Sequence, residues 1–155
     1  MKQKKPSASS VIKTEIVCPN DTNPMGILQG GKLVHWMDIA AAVCAQTHAE
    51  HICVTATINQ ISFNKSAIIG DIITIKAKVT RAFITSLEIK VEAFSRNIKS
   101  KKDHLIGKSY FVFVALDESK NQITIPKLLP QTKSEIEDYK NALIRKNKIN
   151  GATKS

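Results

Sequence analysis

Asp38 stands in a run from Leu33 to Ala45 whose other members are nearly all apolar: Leu33, Val34, Trp36, Met37, Ile39, three alanines, Val43, Cys44 and Ala45. The run is too long for an ordinary strand and rich in Ala, Leu and Met, so it predicts a helix. A helix apolar on most sides is a core helix. A carboxylate enclosed there costs several kcal/mol unless it is paired or kept neutral, and a charge held in such a setting is a candidate catalytic group. The competing reading is a structural Asp bonded by neighbouring hydroxyls or amides, and residue types alone do not separate the two. Just upstream, Gly30-Gly31 opens the helix. Paired glycines let a ligand approach the backbone. The first N–H groups of the helix are unpaired and carry the positive end of its dipole, so they could hold an oxyanion. On composition alone a tight loop-to-helix junction is the favoured account of the two glycines, because Gly-Gly before a helix is common. Asp38 lies seven residues beyond Gly31, roughly 10 Å along a helix axis. Amides that work with Asp38 would therefore come from a second subunit. Asn23, before Pro24, reads first as a turn residue. His35 lies on a neighbouring helix face, and no Ser or Cys nucleophile accompanies it. Cys44 reads as core.

The elements that must position these residues follow from periodicity. Val11–Val17 reads as a first strand, residues 18–26 as a turn-rich loop, and the helix ends near 48–51. Ile52–Phe63 is β-branched and predicts a second strand. Ile73, Ile75, Ala77 and Val79 alternate with Thr74, Lys76, Lys78 and Thr80, and Leu87, Ile89, Val91 and Ala93 alternate with Glu88, Lys90 and Glu92. Both are half-buried strands. Leu105–Leu116 is apolar on both faces around Tyr110–Val114, as a covered central strand would be. The plan is α+β: a mostly antiparallel five-stranded sheet wrapped around one long helix. The Lys and Glu positions of the third and fourth strands predict that the sheet's other face is largely wet. Three segments result: a disordered basic arm over 1–10, a folded domain over 11–130, and a C-terminal amphipathic helix with a basic tail over 131–155, carried by Ile136, Tyr139, Leu143 and Ile144.

With 155 residues and 43% hydrophobic composition, a single domain has enough apolar surface for a core. No apolar stretch approaches a membrane span, and the N-terminus lacks the apolar centre of a secretory signal, so a cytoplasmic protein is expected. Three cysteines (Cys18, Cys44, Cys53) lack metal-ligand spacing and read as reduced, mostly buried thiols. The net charge of +10 suggests an anionic partner. Neither aromatic-basic interleaving nor finger spacing is present, so nucleic acid is not the expected one.

Asp21-Thr22-Asn23-Pro24-Met25-Gly26-Ile27-Leu28-Gln29-Gly30-Gly31, followed by Trp36-Met37-Asp38, resembles the acyl-CoA thioester hydrolases of the hotdog fold. The resemblance continues through Phe63-Asn64-Lys65-Ser66, Gly70-Asp71, Thr85-Ser86, Gly107-Lys108 and Val114–Asp117. It implies a hotdog domain that self-associates as a dimer, with trimers of dimers common. It implies hydrolysis of acyl-CoA, with coenzyme A as part of the substrate and no separate cofactor or metal. Asn23 and Asp38 would be the catalytic pair, contributed by opposite subunits, and Gly31 would polarise the thioester carbonyl. Gly30, Lys65, Arg81, Thr85, Ser86, Arg96 and Lys108 are candidate substrate contacts. The chain departs from the family pattern at Gln29, Pro24-Met25 and Lys65-Ser66, positions expected to bear on acyl preference. Two rivals remain. A dehydratase would need a His paired with a carboxylate in another setting. The other is a silent module that binds acyl-CoA or nucleic acid.

Overall fold

The computed structural model describes residues 2–154. Its elements are β1 (Val11–Ile16), α1 (Gly30–Ala49), β2 (Ile52–Ile58), β3 (Ser62–Phe63), β4 (Ile72–Ala82), β5 (Ser86–Arg96), β6 (His104–Leu116) and α2 (Lys133–Lys154). Five strands form one antiparallel sheet in the order β1-β4-β5-β6-β2, and the two-residue β3 pairs with β6 where β2 leaves off. The predicted second strand is thus broken at Asn59–Ile61. The ladder bridges the break, because the Asn59 N–H donates to the Tyr110 carbonyl and the Ser109 hydroxyl donates to the Asn59 carbonyl.

Curling of the sheet around α1 makes the core. Leu33, Trp36, Met37, Ala40, Ala41, Cys44, Ala45 and His48 recur at helical spacing and are buried. They face Ile73, Ile75, Ala77 and Val79 of β4, Leu87, Ile89, Val91 and Ala93 of β5, and Phe111 and Phe113 of β6. Each large apolar side chain enclosed this way contributes about 1.5–3 kcal/mol. The alternation of β4 and β5 therefore has the predicted inward set. His48 is neutralised by its setting: burial pushes its pKa below the usual value, while its Nε2 lies 2.7 Å from the Pro126 carbonyl.

Three expectations are corrected. First, α1 is not enclosed on all sides. Ile39 and Val43 are 38% and 47% exposed, and Asp38 sits half-buried between the two faces. Second, the outer face of the sheet is not simply wet, because α2 lies on it. Glu88, 3% exposed, accepts two N–H bonds from Arg145 and one O–H bond from Thr80. Lys90 pairs with Asp138, and Lys78 with Glu135. Charges at alternate strand positions mark the face that is not core, and they read the same whether water or an ion-pairing helix covers it. Third, residues 2–10 pack against the domain. The Lys4 backbone pairs with the 127–129 segment, and its ammonium reaches the carbonyls of Thr47 and His48 at the end of α1, where the helix dipole favours a cation. Pro6 and Ser9 are buried.

Candidate active site

The loop before α1 is held to the helix tip by its own polar groups. The Asp21 carboxylate accepts from the Cys18 N–H, its carbonyl accepts from the Gln29 N–H, and Lys32 lies 3.6 Å from the carboxylate. Inside this loop the Asn23 Oδ1 accepts the N–H groups of Met25 (2.9 Å) and Ile27 (3.2 Å). The loop reverses at Gly26, whose φ of +74° places it in the left-handed region that favours glycine. Two backbone donors at one atom fix which way the amide faces. The Asn23 Nδ2 is left without a protein acceptor among the described residues, so Asn23 presents an N–H donor outward.

The tip of α1 offers two more donors. No acceptor faces the N–H of Gly30 or Gly31 among the described residues, and the N-cap residue Gln29 supplies no side-chain cap. A Cβ built on Gly30 would stand 3.3 Å from the Phe63 ring, so this position is glycine for close packing on β3. A Cβ on Gly31 would meet nothing within 4 Å. Of the two readings for Gly30-Gly31, Gly30 follows the junction account, and Gly31 faces open space.

Asp38 lies two turns further on. Its Oδ1 accepts a 2.9 Å hydrogen bond from the Thr55 hydroxyl on β2. Thr55 is paired in register with Phe113 of β6, and among the described residues β2 has no strand on its other side. The carboxylate thus stands near an open sheet edge, with Ile39 and Val43 of its own helix exposed. His35 is exposed and makes no hydrogen bond to Asp38. Burial pushes the Cys44 thiol up to about 12 and that of Cys53 to about 11, so neither is a nucleophile at neutral pH; Cys18 is exposed, unlike the buried thiol expected. Among the described residues no hydrogen bond joins the Asp38–Thr55 pair to Asn23 or to the helix tip, so the single chain holds the two groups apart.

The seven expected substrate contacts fall into three places. Arg81, Thr85 and Ser86 line one groove of about 900 Å³. Gly30 packs on Phe63 of β3, Lys108 is in register with Ser62, and Lys65 is exposed just after β3. Arg96 is apart from both groups, 3.9 Å from Asp103 and beside Ile16 and Ile72. Thr55 is the site residue that periodicity does not reveal. In sequence it is one of several β-branched residues of β2, and only the register of β2 and α1 places it on Asp38.

A curled antiparallel sheet wrapped around a central helix defines a hotdog domain. The chain belongs to the thioesterase superfamily, whose family model matches residues 25–101. It is 32% identical over 139 residues to an uncharacterized acyl-CoA thioester hydrolase of Bacillus subtilis, covering 90% of this chain and 81% of that protein. It is 37% identical over 125 residues to a mouse acetyl-coenzyme A thioesterase, covering 81% of this chain. The chain spans only about a fifth to a quarter of the length of the rodent thioesterases that it matches. Among solved structures, a hexameric acyl-CoA thioesterase superposes with a TM-score of 0.95 at 33% identity, over 99% of this chain and 98% of that one. An acyl-CoA hydrolase of Staphylococcus aureus, solved with butyryl coenzyme A and coenzyme A, superposes with a TM-score of 0.91 at 31% identity, over 97% and 92%. Solved variants of the Staphylococcus enzyme replace an asparagine, an aspartate and a threonine by alanine, one at a time. Those three positions have the same order and separations along their chain as Asn23, Asp38 and Thr55 have here.

Proposed function

We propose that this protein hydrolyses acyl-CoA thioesters to a free acid and coenzyme A, with each site completed by two copies of the chain. The observation that carries the reading is the Asp38–Thr55 hydrogen bond at the open β2 edge. In that reading β2 edges of two copies pair, and exposed Ile39, Val43, Ile52, Val54 and Ile58 become their shared apolar contact. The half-site of Asn23 and Gly31 then meets Asp38 and Thr55 of the other copy, and pairs assemble further into trimers of dimers.

The chemistry follows from what each group can do. A water held by Asp38 gives up a proton to the carboxylate as its oxygen attacks the thioester carbon; direct attack by the carboxylate, through an anhydride, is the variant that uses the same group. The Thr55 hydroxyl binds one carboxylate oxygen and orients the other. Charge gathers on the carbonyl oxygen, and the Gly31 N–H and the Asn23 Nδ2–H are free donors for it. The carbon–sulfur bond breaks and the sulfur leaves as a thiolate. A thiol has a pKa near about 8.5, so departure needs no strong acid, and the proton on Asp38 returns to solvent or to the thiolate. The reaction needs no cofactor beyond the coenzyme A carried by the substrate. Three free thiols suit a reducing compartment such as the cytoplasm.

The test is thiol release from a panel of acyl-CoAs by the wild type, Asp38→Asn and Asn23→Ala. Release by the wild type that falls about 10³-fold in Asp38→Asn supports the reading. Binding of acyl-CoA without release would reduce the protein to a binding module.

A further inference from the structure

Side chains along the β2–β3 edge take sides by their register with β6. Thr55 is opposite Phe113, and Ile58 is opposite Phe111. Both phenylalanines are fully buried in the core, so Thr55 and Ile58 stand on the face that α1 covers. Simple alternation would put residues three apart on opposite faces; the bulge between Thr55 and Thr57 returns Ile58 to the inner one. Phe63 is opposite Gly107, and a Cβ on Gly107 would stand 3.8 Å from the Leu33 side chain of α1 and 3.9 Å from that of Ile61. Phe63 therefore faces α1 as well, and its ring lies 3.3 Å from where a Cβ of Gly30 would be, at the helix tip. Yet Phe63 is 54% exposed and Ile58 41%. The inner lip of this edge is thus apolar and uncovered in the single chain. It runs from the Asp38–Thr55 pair at one end to Gly30-Gly31 at the other. Phe113 and Gly107 are six positions apart along β6, so the lip is roughly 20 Å long.

We infer that Phe63 binds the acyl chain of the substrate, next to its carbonyl, and thereby sets which acyl-CoAs are hydrolysed. The inference rests on the two-copy hydrolase reading above and adds to it a place for the acyl group. Gly31, the residue after Gly30, carries the amide proposed for the thioester oxygen, so a ring seated on Gly30 adjoins the reacting carbonyl. At roughly 20 Å from its own Thr55, Phe63 belongs with the helix tip of its own copy and with Asp38 of the other. Two arms leave the reacting carbon. The pantetheine arm carries two amides, which need hydrogen-bond partners when enclosed, and a phenyl ring with Ile61 and Leu33 as neighbours offers none. The acyl chain needs only apolar area, and each methylene it buries is worth about a three- to fourfold gain in affinity. Ring, Thr55 and Asp38 all stand on the α1 side of the sheet, so they meet the substrate from the same face. Ile61 and Ile58 continue the lip for longer chains.

The experiment measures kcat/KM for acetyl-CoA and hexanoyl-CoA in the wild type, Phe63→Ala and Phe63→Leu, with thermal midpoints to show which variants are folded. Acetyl has no methylene to lay against the ring, and hexanoyl has. The hexanoyl-to-acetyl ratio should fall at least tenfold in Phe63→Ala. Phe63→Leu, which stays apolar but loses the flat ring, should lower it about threefold, and it carries the test alone if Phe63→Ala does not fold. Equal losses with both substrates would place the ring against the pantetheine arm they share, or in the fold alone, and overturn the assignment. So would an unchanged or raised ratio, or a wild type that acts on acetyl-CoA but not on hexanoyl-CoA. Absence of thiol from both substrates refutes the hydrolase reading instead, and the same ratio read from calorimetric dissociation constants of the two acyl-CoAs then still decides whether Phe63 touches the chain.

Discussion

Gly31→Ala separates a functional glycine from a structural one, because the two roles predict opposite signs. Only Gly26 and Gly70 among the glycines have positive φ, so Gly31 has a backbone any residue can adopt. A Cβ there meets nothing within 4 Å. With neither strain nor clash, alanine gains helix propensity, worth up to about 1 kcal/mol in a helix interior and about half that in a first turn. For a chain of this length that raises the thermal midpoint by roughly 1–4 °C. Activity should move the other way. Helical Cα–Cβ bonds tilt toward the N-terminus, so the methyl group stands over the free N–H groups where the thioester oxygen must come. Loss of good contact with one such donor costs about 10²-fold or more in kcat; a methyl that only displaces the substrate should cost at least tenfold in kcat/KM, about 1.4 kcal/mol. The assay pairs a thermal melt with thiol release at saturating and limiting acyl-CoA. A variant that melts higher and turns over as fast as the wild type would refute the role of the helix tip. A variant that melts lower would show that the space before Gly31 is filled by protein in the assembled molecule.

Thr55→Val should lower kcat about tenfold with KM nearly unchanged, because it removes the hydrogen bond that orients Asp38, and Thr55→Ser should restore most of it; equal rates in all three would make Thr55 a bystander. Val54→Lys, a charge at the open β2 edge, should shift the protein toward monomer in light scattering and abolish thiol release with little change in far-UV circular dichroism; an active monomer would end the two-copy site. Acid should weaken the seat of α2 through Glu135. Burial alone would raise that carboxyl, but Lys78 and the N–H groups of Gln131 and Thr132 outweigh it and hold it at about 2. A carboxyl depressed on folding contributes stability above its unfolded value of 4.5 and loses it as pH falls toward 2. Allowing for solvent around Lys78, the loss is about 1–2 kcal/mol. It should appear as a lower urea midpoint at pH 3 than at pH 6, and Glu135→Gln should flatten that difference.

Legibility in the sequence followed how local each cause is. The alternation of Ile73 to Val79 and of Leu87 to Ala93 states which side of β4 and β5 is core, because the period-two pleat needs no knowledge of neighbours. The length and composition of the Leu33–Ala45 run state that α1 is a helix for the same reason. What the pattern misreads is whatever another element supplies. The partners of Glu88 and Lys90 stand 57 and 48 residues away on α2, so a paired charge looked like a wet one. Thr55 acquires its meaning from register with α1, which no local window contains. The misplacement of Asp38 has the same origin and is the most informative. The neighbours of Asp38 in the run are apolar, yet Ile39 and Val43 lie 38% and 47% exposed in the single chain. Apolar side chains destined for another copy of the chain carry the same sequence signature as core. Enclosure of the carboxylate, expected from the sequence and missing from the lone subunit, is what a second β2 edge laid against the first would provide, and it would bring the unused amides of a second helix tip with it.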